Sequence, residues 1–205
     1  VRPVLAAVVL AALLAPAVAD ARGACPLVPD FAGDATAYGS ALASDTNDAP
    51  LDLLGAGLAS SARALTVVVH LAASPAATDT ASPLGTAYLV QFTTPPLTRT
   101  TTRGEVDRWA VWAVVPAGVA PSGGWGSGHY GALTAKGAGT VRVTGSTVTA
   151  TMPTGTFGRA LVGNVGVTAF RLLAPPVPGG QPFSGVSVDR ADTTRTYRGG
   201  TPGCV

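Results

Sequence analysis

The sequence predicts an all-β protein: an antiparallel β-sandwich with a jelly-roll-like plan, about eight or more strands, and no long helix in the mature chain. Three observations predict it. Gly (26) and Pro (17) make up about a fifth of the 205 residues and punctuate the chain throughout. Between them lie short runs rich in Val and Thr, residues that suit a pleated, half-buried surface. Several of these runs alternate with a period of two, and no long stretch repeats at the helical period. Two packed sheets would bury the alternating faces, and a barrel is the alternative.

The chain opens VRPVLAAVVLAALLAPAVADARG. Arg2 precedes an apolar run from Val4 to about Ala15, and Ala17-Val18-Ala19 supplies a small-x-small cleavage signal. This is the layout of a secretory signal peptide, with residues 1–19 removed and residues 20–205 forming one domain. The run is short for a bilayer-spanning helix, and no second apolar run is long enough to anchor the chain. A secreted, extracellular protein is expected, and a monomer.

The strands follow in order. Asp30 to Pro50 is polar and reads as a loop. Leu51 to Ala59 and Leu65 to Leu71 read as strands joined through Ser60-Ser61-Ala62-Arg63. In the second, Leu65, Val67, Val69 and Leu71 share one face, and Thr66, Val68 and His70 the other. Ala87 to Phe92 is a third strand and Val106 to Val115 a fourth. In the fourth, Trp109 and Trp112 are three apart and point to opposite faces. Trp125 then falls in a glycine-rich turn. Thr140–Thr144, Gly145-Ser146 and Thr147–Met152 form the cleanest hairpin, with a type II′ turn at Gly-Ser. "TGTFGRALVGN" allows a helical turn, Val165 to Leu173 is another strand, and a Pro/Gly-rich loop leads to the tail.

Charge narrows the function. Without Arg2, twelve basic residues face eleven acids. There is no basic run or stripe, so nucleic acid is not an expected partner. The cysteines are Cys25 and Cys204. A lipid anchor on Cys25 conflicts with Arg22 and with the intervening Ala-x-Ala site. A metal site on two isolated cysteines lacks paired ligand spacing. A disulfide closing the mature chain fits an exported protein and is the expected state.

The order of features resembles a known group. Cys25, the loop Asp30–Ala35, the "TGSTVTATMP" hairpin and the "TYRGGTPGCV" ending are similar to secreted actinobacterial β-sandwich domains of unassigned function. Their plan is similar to carbohydrate-binding and DOMON-like jelly rolls. The resemblance implies a fold and a compartment and carries over no binding residues.

Two constellations are candidates for a site. Asp30, Asp34, Asp45, Asp48 and Asp52 crowd one early segment. Such acids usually fill turns by bonding nearby backbone; as a cluster they also suit calcium, which takes six to eight oxygen ligands. Trp125, His129 and Tyr130, with Trp112 nearby, are the candidate ligand-binding residues, because flat rings with a polar handle suit sugar faces. The competing reading folds Trp125 back over the core. His70 and Arg142 could line the same surface. Catalytic signatures are weak: Gly-x-Ser-x-Gly and His-Glu-x-x-His are both missing, and Glu105 is the sole Glu. The expected function is therefore non-catalytic binding of a glycan, polysaccharide or other cell-envelope ligand. The alternative is a structural domain that packs against a protein partner.

Overall fold

The computed structural model describes residues 25–35, 48–60, 64–75, 82–94, 108–129, 132–153, 161–175 and 183–198. The expected signal segment, Asp45, Tyr130, Cys204 and most of the expected helical turn lie outside these residues.

Eleven strands follow one another: β1 (Cys25–Pro29), β2 (Leu53–Ser60), β3 (Ala64–Leu71), β4 (Gly85–Thr93), β5 (Arg108–Pro116), β6 (Ser122–His129), β7 (Ala132–Thr144), β8 (Thr147–Pro153), β9 (Leu161–Leu172), β10 (Gly185–Thr193) and β11 (Tyr197–Arg198). Their order is β1-β2-β3-β8-β7-β6-β5-β4-β9-β10, and β11 pairs with the start of β9. The ten strands of that path form one antiparallel sheet that curls through 283° into a nearly closed barrel-like shape, with no helix among the described residues. All-β antiparallel structure is therefore as expected. The two-sheet jelly-roll plan is not: there is one sheet.

The reason lies in β7. Its first part pairs with β6 and its second with β8, so the sheet never breaks. Trp125 faces Gly137 while Gly126 faces Ala135, which leaves Lys136 as an extra residue in a β-bulge. One added residue reverses which face each later side chain takes. Leu133 and Ala135, before the bulge, pack on an outer apolar cluster; Val141 and Val143, after it, pack on the inner one.

The inner cluster fills the barrel. Val67 and Val69 of β3, Tyr88, Val90 and Phe92 of β4, Val111 and Ala113 of β5 and Val148 and Ala150 of β8 meet there. Most of these residues line a void of about 10 Å³. The alternate positions of β4, β5 and β9 (Ala87, Leu89, Ala110, Trp112, Val114, Phe170 and Leu172) form the outer cluster, so these three strands are buried on both faces. The β7–β8 hairpin is as the sequence predicts: Gly145 takes φ 58°, the left-handed value that the first position of a II′ turn requires.

The seam runs between β1 and β10. Pro26 and Pro29 lie in β1, where the missing N–H groups blunt an edge. Across the gap, Asp189 Oδ2 of β10 accepts the Leu53 N–H of β2 at 2.7 Å. The antiparallel registers define two rims. At one, β1, β3, β5, β7 and β9 end and their even-numbered neighbours begin; five aspartates gather there. At the other lie Trp109, the end of β6, and the starts of β1 and β9.

Candidate functional site

At the acidic rim, Asp30 follows β1, Asp34 sits in the next turn and Asp189 reaches in from β10. Carboxylate oxygens of these three lie within 4.8 Å of one another. Asp52 stands beside them, its Oδ2 accepting the Gly33 N–H at 2.8 Å. That contact needs Gly33 at φ 93°, where side-chain-bearing residues are strained. Asp189 accepts twice, from Leu53 N–H and from Arg190 N–H at 2.6 Å. Asp30 Oδ1 accepts the Phe31 N–H at 2.9 Å, whereas its Oδ2 is buried and accepts nothing. Burial is the main force on Asp30 and lifts its carboxyl from 3.8 to about 6, with Asp189, Asp34 and Asp52 adding repulsion. Burial likewise raises Asp189, partly offset by its two backbone donors. The cluster offers oxygen donors alone, the chemistry of a hard cation or of a retained proton.

The structure thus brings Asp30, Asp34 and Asp52 together, with Asp52 acting on the backbone as a turn former. Asp48 is directed elsewhere: its Oδ2 pairs with Arg171 Nη2 at 2.9 Å, tying the segment before β2 to β9. Asp189, which the sequence reading missed, replaces it. The signal for Asp189 was a single carboxylate in the alternating run Val186–Ala191, at a position the barrel buries.

At the opposite rim, Trp125 lies in the middle of β6 and not in a turn. The glycines around it serve strand pairing. A Cβ on Gly126 would collide with Thr134 O, and one on Gly137 would meet the Trp125 indole nitrogen at 2.6 Å. The Trp125 ring therefore rests on β7 at Gly137 and tilts against Trp109, centroids 6.0 Å apart at 37°. The Lys136 ammonium, on the bulge, lies 4.5 Å over the Trp109 ring. Trp125 is half-buried and packed against the inner core. Trp112 leaves the ligand-binding set: it is 0% exposed in the outer cluster, and its indole N–H has no hydrogen-bond partner. His129 ends β6, half-buried. His70 is exposed at the acidic rim with Nδ1 3.4 Å from Thr147 Oγ1, and Arg142 is exposed on β7. Of the expected aromatic set, Trp125 packs on the inner cluster and Trp112 lies in the outer one, while Tyr130 lies outside the described residues.

A third place was not anticipated. A groove of about 480 Å³ opens at the tryptophan rim between Arg108 of β5 and Arg190 of β10, with Asn164, Asp192, Thr193 and Thr194 along it. Arg190 Nε donates to Asp192 Oδ2 at 2.9 Å. The other carboxylate oxygen of Asp192 lies where a Cβ on Gly166 would be, so glycine at that position makes room for it. Asn164 holds φ 49° and is the one non-glycine among the described residues with a positive φ. It sits where the β4–β9 register gains a residue between the Gln91–Gly166 and Thr93–Gly163 pairs. A strand bulge of this kind re-aims a side chain. Sequence reading passed over these residues because they come from three separate strands and carry no local motif.

No family model, curated protein or solved structure matches this chain. It is an all-β antiparallel domain of unassigned family. The resemblance to secreted β-sandwich and jelly-roll domains finds no support among these comparisons, and the single-sheet topology departs from it.

Proposed function

We propose that this protein is an exported, non-catalytic binding barrel that engages a glycan or other cell-envelope ligand on its outer surface. The observation that carries the reading is the contrast, among the described residues, between an interior void of about 10 Å³ and an open polar groove of about 480 Å³. A barrel that holds a small ligand inside needs an interior chamber, so recognition here falls to the outside. The cysteine pairing belongs to the same reading. β1 begins and β11 ends at the tryptophan rim, so a Cys25–Cys204 bond in the exported chain would close the barrel beside its seam. The test is a binding screen of residues 20–205 against insoluble polysaccharides and purified cell wall, with calcium and with EDTA. Retention on one of these materials is the expected result, and loss of retention in EDTA would implicate the acidic rim as the calcium site that the sequence admits. No retention under either condition would overturn the reading in favour of a structural domain with a protein partner.

A further inference from the structure

We propose that the Arg108–Arg190 groove takes a carboxylate-bearing sugar, a uronic-acid unit of an acidic polysaccharide; this rests on the outer-surface binding reading above and names the ligand class. Four features of the groove select that chemistry. Arg190 spends only its Nε on Asp192, so both terminal guanidinium nitrogens keep the parallel geometry that receives a carboxylate end-on. Arg108, half-buried in the lining of the same groove, brings a second positive charge that persists at any ordinary pH.

The rest of the groove suits hydroxyl groups. Sugar hydroxyls both donate and accept, so a site for them needs acceptors and donors side by side. Asp192 supplies acceptors, held in place by Arg190 and by the space at Gly166. Asn164 supplies an amide on a bulged residue, and Thr193 and Thr194 supply hydroxyls. The Asn164 Nδ2 to Thr93 Oγ1 distance of 3.4 Å is long for a hydrogen bond, so the amide is only loosely held by the protein.

Asp192 also sets an upper limit on ligand charge. Its carboxylate opposes a dianionic phosphate more strongly than it opposes a singly charged carboxylate. A single acidic group with neighbouring hydroxyls is the pattern that matches two guanidiniums, one carboxylate, one amide and two hydroxyls.

The experiment is calorimetric titration of the purified protein, in EDTA to keep the acidic rim out of the measurement. The probes are an oligogalacturonate, a neutral galactan oligomer, sodium sulfate and sodium acetate. The proposal expects the oligogalacturonate to bind at least tenfold more tightly than the neutral oligomer, with neither simple anion competing at equal concentration. Arg108→Gln and Arg190→Gln should each weaken it at least tenfold, while Lys136→Gln, a charge change outside the groove, should not. Melting curves of the three variants are the control for folding. Sulfate or acetate binding as tightly as the oligomer would overturn sugar recognition and leave an anion site. Oligomer binding indifferent to both arginine changes would overturn the groove while keeping the surface-binding reading. No binding of either oligomer, together with no retention on any polysaccharide or cell wall, would overturn both.

Discussion

The two rims of this barrel share one core and differ in almost everything else. The acidic rim gathers Asp30, Asp34, Asp48, Asp52 and Asp189. It also carries every large apolar side chain exposed among the described residues: Phe31, Leu54, Leu84, Val119, Leu173 and Val186, with Phe31 83% exposed. The tryptophan rim carries Trp109, Trp125, Lys136 and Arg108, and opens the polar groove. At the acidic rim, carboxylates are spent on backbone N–H groups where the barrel fails to close. At the other, charged groups stand over rings or face open space. On the proposed reading, closure and recognition are divided between opposite ends of one sheet.

The largest expected effect comes from cutting the seam. Asp189→Ala leaves the Leu53 N–H without its acceptor in a buried place and should cost about 2–3 kcal/mol in chemical denaturation. Asp189→Asn keeps one acceptor and removes the charge, so it should cost much less. If the two substitutions are equally harmful, the charge and not the hydrogen bond holds the seam.

Next comes the tryptophan pair. Trp125→Ala removes a half-buried ring from Trp109 and from the space at Gly137, and should cost about 2 kcal/mol. The measurement is a melting curve with near-ultraviolet dichroism, whose indole signal should also fall.

A smaller, directional effect separates the rims by pH. The folded chain holds a proton on Asp30 up to about pH 6, whereas an ordinary carboxyl releases it near 3.8. Folding therefore takes up protons in that window. The contribution of this group is fully present below pH 3.8 and is lost as pH rises through 6. Asp189, also raised, acts in the same sense. Melting temperatures of Asp30→Asn should show a flatter slope between pH 4 and 7 than the parent, and Trp125→Ala should keep the parent slope.

The smallest effects lie on the exposed charges. Lys136→Met removes a cation over the Trp109 ring and should cost about 0.5–1 kcal/mol. The Arg190–Asp192 pair, with both side chains at least half exposed, should contribute at most about 0.5 kcal/mol. Arg190→Gln would then change binding while leaving the melting temperature almost unmoved, which is what a recognition rim requires.

Legibility in the sequence followed the same division. The β7–β8 hairpin was readable because Thr and Val alternate on both sides of Gly145-Ser146. The β2–β3 pairing was readable from Leu65, Val67 and Val69. β6 was not, because "SGGWGSGH" carries turn residues; its glycines answer to the neighbouring strand's carbonyls, which no local pattern displays. The single curled sheet was legible only as the barrel alternative to the sandwich, and the bulge at Lys136 shows only when β6 is laid beside β7. Of the site, Asp30 and Asp34 were legible as a pair in one loop, whereas Asp189 and both groove arginines are assembled by long-range pairing.

One consequence of the strand order is mechanical. The flanks of the described chain leave at the same rim, β1 from Cys25 and β11 after Arg198. A load applied through both flanks therefore pulls strand ends apart instead of sliding strands past each other. β1 would unzip from β2 beginning at the Cys25–Leu58 pair, one rung at a time. A covalent link between the flanks would short-circuit that load path, and the barrel would bear no tension at all.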